Sequence, residues 1–305
     1  DTGIAHRASA AIGRGTDVLL QRPRPAWPLA IMRIMYGFVL LAWTVTLMPD
    51  VDDLLGSDAL VPNRFATPDR WRYFDLDTTG SIWIALAVLV AASIAIIVGW
   101  RPTGWFIITF LILVAVQRRN PLILNSGDLV LRDFAVLLAL TPSGAALSVD
   151  RWRRYGRAAL RTAPMVAPWG LRLLQLQMMV IYFIAFWSKS GDLWREGTAV
   201  STVFRIDDLA RFDSPDWLVG NVVIIALFTW GALAIELSLA MLLWVKRLRP
   251  VLIVLGISLH VFIDVFIIVG FFGPLMITGL MAFTDADRID RFVQRRWPPP
   301  STVRT

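Results

Sequence analysis

Residues 217–245 read WLVGNVVIIALFTWGALAIELSLAMLLWV, 29 positions with one ionisable side chain, Glu236. About 20 apolar residues cross the hydrocarbon layer of a bilayer as a helix. A stretch this long, apolar on every side, has no place on a water-exposed surface. It is long enough to tilt or to protrude. Working outward, similar runs occupy 27–48, 81–98, 104–116, 129–140, 171–188, 251–270 and 275–283. The last is short, since nine residues rise only about 14 Å, under half the core thickness. The expected fold is all-α: a polytopic integral membrane helical bundle of about eight spans.

Composition agrees. Hydrophobic residues make up 56% of the 305 positions and charged residues 17%, with mean hydropathy +0.61. A soluble domain carries about 25% charge, and a disordered chain needs low hydrophobicity. The chain has no cysteine and two histidines, His6 and His260. Disulfides and thiolate chemistry are therefore excluded, and no metal cofactor is expected. Neither G-x-x-x-x-G-K-[ST] nor G-x-G-x-x-G occurs, so no nucleotide is expected.

The net charge is +7, and the arginines gather at the ends of the apolar runs. With the N-terminus inside, the inner segments collect 19 Arg and Lys and the outer segments nine. That bias follows the positive-inside rule and places both termini in the cytoplasm. Trp71, Trp83, Trp100, Trp105, Trp194 and Trp217 flank the runs as an interfacial belt would. The expected organisation is a cytoplasmic tail at 1–26, a transmembrane domain at 27–284 and a cytoplasmic tail at 285–305. The chain opens with Asp1 and shows no signal-peptide cleavage pattern, so its native start is expected to be missing or trimmed. The arginine runs suit anionic lipid better than nucleic acid. Arginine-rich, lysine-poor usage fits a GC-rich bacterial genome, and hence a bacterial plasma membrane.

Charges inside hydrocarbon are costly, so they mark function or buried pairs. Lys189 closes the fifth run and is one of two lysines against 28 arginines. A desolvated lysine can act as a base; the other reading is an interfacial anchor. His260 and Asp264 lie i, i+4 in the seventh run and share a helix face. They could form a proton relay or hold a quinone head group, or clamp helices together. Glu236 is a candidate substrate-binding residue, or could pair with Arg132 or, second, Arg33. Arg33 lies near a span start, where it can snorkel to the interface. Arg118, Arg119, Asn120, Asn125, Asp128, Arg132 and Asp133 could form a cup for a polar or anionic substrate, or a salt-bridged cap. Asp128 and Arg132 have helix-start spacing.

Three segments together resemble the HTTM domain, shared with vitamin K-dependent gamma-carboxylase. The first is RRNPLILNSGDLVLRDFAVLLALTPSGAALSVDRW, with Arg119, Asn120, Asn125, Asp128 and a Ser148-Val149-Asp150 close. The second is YFIAFWSKSGDLWREG, where Lys189 falls on the family's catalytic lysine, followed by Trp194 and Gly197. The third, LHVFIDVFIIVGFFGPLMI, is similar to the family's histidine helix and the short span after it. The resemblance runs from about Pro28 to Phe283. It implies a quinone or quinol of the menaquinone or vitamin K type as lipid-soluble substrate or cofactor, with Lys189 as general base assisted by His260 and Asp264. The animal carboxylases carry a histidine in the segment aligned with Asn125 and Asp128, and a lumenal domain after the membrane part. This sequence has neither, so carboxylation of a propeptide-tagged protein is not expected.

Two functions fit. One is a membrane enzyme acting on a quinol. The other is a non-catalytic integral subunit of a cell-envelope or respiratory complex, docking an extracytoplasmic partner on the loops 49–80 and 191–216. A transporter fits less well, because no inverted repeat is present.

Overall fold

The computed structural model describes residues 22–57, 59, 76, 78–212 and 216–298. Most of the expected N-terminal tail, much of the 49–80 loop, part of the 191–216 loop and the last residues of the C-terminal tail lie outside them. The described chain is helical, apart from one two-stranded ribbon that pairs β1 (Arg24–Pro25) with β2 (Met165–Val166) and an isolated bridge between Ala210 and Ile267.

The helices are α1 (Trp27–Leu47), α2 (Val51–Leu55), α3 (Thr79–Val98), α4 (Pro102–Arg119), α5 (Ser126–Ala139), α6 (Val149–Tyr155), α7 (Trp169–Ser188), α8 (Asp192–Arg195), α9 (Ala199–Phe204), α10 (Asp216–Val219), α11 (Val222–Leu242), α12 (Arg249–Phe266), α13 (Phe272–Leu280) and α14 (Ala286–Arg296). Among the described residues five are long and apolar enough to cross a membrane: α1 with its continuation to Leu55, α3, α7, α11 and α12; Phe272–Phe283 is a shorter apolar segment. Large apolar side chains such as Ile84, Val222, Val223 and Val254 stand exposed on these helices. Lipid is the solvent that accepts them.

The boundaries differ from the sequence reading where polar side chains intervene. The expected span 217–245 divides into α10 and α11, because the Asn221 side chain accepts from the N–H groups of Val223 and Ile224 and starts a new helix. The run 251–270 stops at Phe266, where Ile267 turns extended and joins the Ala210 bridge. Helix α5 has 14 residues and rises about 21 Å, short of the roughly 30 Å core.

The chain forms two compact units. One comprises 1–123, 131–174 and 285–305; the other comprises 124–130 and 175–284. In the first, α1 and α3 approach closely, and a Cβ on Gly37 would fall 2.6 Å from the Ile97 side chain. The turn into α4 uses a left-handed Gly99 (φ 73) and Arg101 (φ 46). The buried Tyr36 hydroxyl donates to the Leu131 carbonyl at 3.0 Å, and its ring meets Phe106 edge-on. Arg33 does not snorkel. It is 0% exposed, and its Nη2 donates to the carbonyl of Leu147 at 2.6 Å. Leu147 is itself held at φ 48, which turns the chain there.

Helix α14 tucks Ile289 and Val293 against Ala26, Trp27, Ala30 and Ala146. The Trp27 indole donates to Asp290 at 2.8 Å, and Arg24 pairs with Asp287 at 2.7 Å. The opposite face of α14 carries Arg288, Arg291, Arg295 and an exposed Phe292.

Candidate functional site

The second unit holds the three residues expected to do chemistry. Helix α7 ends at Ser188, and Lys189 turns its ammonium toward α11. Nζ donates to Oε1 of Glu236 at 2.7 Å and to Oε2 at 2.8 Å. It also donates to the Ala185 carbonyl, one turn back, at 3.1 Å. All three ammonium hydrogens are thus engaged. The side chains are 24% and 10% exposed. The Trp194 ring lies 5.5 Å from Nζ, within cation–π range. Glu236 therefore takes neither Arg132 nor Arg33, the two arginines expected for it; in the first unit Arg33 donates to a backbone carbonyl, and Arg132 lies beside Gln117 and Asp133.

The segment after Lys189 is pinned along α11. The Trp230 indole donates to the Trp194 carbonyl at 3.1 Å, and the Val200 N–H reaches the Thr229 hydroxyl at 3.3 Å. Gly197 has φ 75, and a Cβ there would press on the Trp230 ring at 3.1 Å. These contacts fix where α7 ends relative to α11, and so fix the lysine opposite its glutamate.

His260 does not pair with Asp264, although their spacing allows it. Its Nε2 meets the Tyr182 hydroxyl at 2.9 Å, with Phe272 edge-on to the ring. Asp264 keeps its carboxylate against the α13 entry, where a Cβ on Gly273 would fall 2.1 Å from Oδ2. Its backbone carbonyl accepts from Arg211 Nε at 3.0 Å. Nδ1 of His260 and Oδ1 of Asp264 are buried with no hydrogen-bond partner among the described residues. The sequence reading missed Tyr182. A hydroxyl inside an apolar span needs a partner, and Tyr182 lies on α7 seven positions before Lys189.

The expected polar cup is divided. Asn125 and Asp128 belong to the second unit and cap α5: Asn125 Oδ1 accepts from the N–H groups of Gly127 and Asp128, and Asp128 Oδ2 accepts from Asn125 N–H at 2.9 Å. Gly270 (φ 62) and Gly127 let the Asn125 turn sit close to the 270–273 turn. Arg119, Asn120 and Arg132 belong to the first unit. Arg119 donates to the Gly56 carbonyl and Asn120 to that of Leu54 at 2.9 Å, which satisfies the end of α2. Arg132 donates to Gln117 at 3.1 Å and lies 3.9 Å from Asp133. Among the described residues no group of three His, Asp or Glu could hold a metal ion.

No curated protein and no solved structure matches the chain. The family model of the HTTM domain matches residues 21–287, a stretch that takes in the Lys189–Glu236 pair, the Tyr182–His260 pair and all five membrane-length helices. The chain therefore belongs to the HTTM domain family and is a multi-pass membrane protein of that type.

Proposed function

We propose that the protein is a membrane enzyme acting on a quinol or another lipid-soluble substrate, with the Lys189–Glu236 pair as proton acceptor. The carrying observation is that pair: an amine and a carboxylate, mostly buried, in bidentate contact at the end of a span. An ammonium with every hydrogen donated has no lone pair. Lys189 becomes a base by passing one proton to Glu236, which leaves a neutral amine and a neutral acid. Stripping two charges of water costs several kcal/mol per ion, so the neutral pair competes with the ion pair in this setting. The amine then takes the proton of a quinol hydroxyl. His260 and Asp264, each with a buried unpaired atom, would hold the head group. We further infer eight crossings, both termini in the cytoplasm and a bacterial plasma membrane, on the arginine distribution.

A second reading draws on the same geometry. Three satisfied ammonium hydrogens also describe a staple that fastens the 189–204 segment to α11 in a non-catalytic subunit. The two are separated by purifying the protein with native lipid, extracting bound quinone for mass spectrometry, and measuring quinone epoxide formation. The quinol form of the enzyme reading requires bound quinone and a loss of about 100-fold or more in Lys189→Ala, the scale of general acid–base catalysis. A double variant, Lys189→Met with Glu236→Leu, removes the base without leaving a lone buried charge. Equal turnover in wild type and the double variant, or a fixed partner at constant stoichiometry with no quinone, selects the subunit.

A further inference from the structure

The first unit carries a groove that the proposed chemistry does not use. It has a volume of about 530 Å³, within the roughly 300–1,000 Å³ of small-molecule sites. Its walls are Ile94 and Val98 on the last turns of α3, Trp100 in the turn, Trp105 on α4 and Val149 on α6. The two indoles lie 6.0 Å apart at their centroids. The lining has one charged residue, Arg153, one turn beyond Val149 on the same face of α6.

The setting decides what can fill it. Helix α3 is one of the membrane-length helices, so its exposed Ile94 and Val98 face acyl chains. Paired tryptophans at the end of the helix mark the level of the head groups. Trp152 and Tyr155 on α6 are exposed at the same end. No described residue offers Arg153 a hydrogen bond or an ion pair. The acid nearest to it on α6, Asp150, accepts from the backbone N–H of Arg101 at 2.6 Å. An apolar wall leading to an unneutralised guanidinium at head-group depth is complementary to one molecule class, an amphiphile with a phosphate and net negative charge.

We propose that this groove binds one anionic phospholipid, its acyl chain along Ile94 and Val98 and its phosphate on Arg153. The side concerned is the one that the charge pattern reads as cytoplasmic.

The absence of native cysteine permits a direct test on the full chain. A fluorophore on Val98→Cys, in phosphatidylcholine bilayers, is titrated with brominated phosphatidylglycerol or brominated phosphatidylcholine. A matching label on Ile84→Cys, 14 residues and about 21 Å along α3, reports the general lipid annulus. Half-maximal quenching at Val98 is expected at an about fivefold lower fraction of phosphatidylglycerol, the effect of one cation at a membrane surface. No preference is expected at Ile84, and Arg153→Gln should abolish the preference at Val98. Equal quenching by both lipids at Val98, a preference equally strong at Ile84, or one that survives Arg153→Gln overturns the site. Should the label itself fill the groove, native mass spectrometry of unlabelled protein decides. Phosphatidylglycerol should stay bound to wild type and to Arg288→Gln and be lost from Arg153→Gln; an absent adduct, or no difference between the two variants, refutes the proposal.

Discussion

The Tyr182 hydroxyl lies 2.9 Å from Nε2 of His260, between two spans whose other side chains there are almost all apolar. Each group is the polar partner of the other. Tyr182→Phe should leave a buried imidazole nitrogen unsatisfied and cost about 1–3 kcal/mol. Removing both, as Tyr182→Phe with His260→Leu, should cost less than the sum of the single changes, with a coupling of about 0.5–3 kcal/mol. Thermal unfolding in one detergent, across the four proteins of the cycle, measures this. Additive losses would mean that the hydrogen bond contributes nothing.

The same logic applies more strongly to the ion pair. Lys189→Met alone strands the Glu236 carboxylate, and Glu236→Leu alone strands the ammonium. Each should destabilise by about 3 kcal/mol, the lower end for a broken buried pair. The double variant should recover most of that loss. A double variant less stable than either single variant would show that neighbours, such as the Ala185 carbonyl, hold the charges without one another.

Gly273 tests the packing of Asp264. A methyl group there would fall 2.1 Å from Oδ2 and 2.5 Å from Cγ, so Gly273→Ala should drive the carboxylate from its place and lower the unfolding temperature. Shortening the acid relieves the clash, and Gly273→Ala with Asp264→Ala should be more stable than Gly273→Ala alone. If Asp264→Ala adds its own full cost instead, the crowding has been relieved elsewhere.

Topology can be read with single cysteines. In the first unit Arg288 follows Asp287, which pairs with Arg24 just before α1; Arg157 follows α6, whose Asp150 accepts from Arg101 at the turn between α3 and α4; Asp52 accepts from Trp83 near the opposite end of α3. A membrane-impermeant maleimide should label Asp52→Cys in intact cells, and Arg157→Cys or Arg288→Cys only after lysis. Labelling of all three in intact cells would break the charge-based orientation.

The long spans were legible because their signal is compositional: no soluble environment accepts 20 consecutive apolar residues. Their ends were less so. Asn221 cuts a continuous apolar run with two hydrogen bonds, an effect invisible to hydropathy. Lys189 and Glu236 each stood out as lone charges, but their pairing did not. They are 47 residues apart, and 28 arginines against two lysines made an arginine the natural partner to expect. Arg33 was expected to reach water from its place near a span start, yet a left-handed Leu147 offers it a carbonyl inside. Tyr182 was overlooked because a tyrosine in an apolar helix resembles any other aromatic until its hydroxyl has a neighbour.

Trp27 and Asp290 are joined across 263 positions, and Ile289 and Val293 pack against the cluster to which that indole belongs. The indole at the head of α1 is thus sealed only after α14 has docked. Until α14 has been made, the nascent chain holds an uncovered tryptophan at the head of its first described membrane-length helix, and quality-control proteases would meet their best opportunity in that interval. A nonsense codon shortly after position 284 would prolong it indefinitely, turning the loss of α14 into rapid clearance of an otherwise inserted protein.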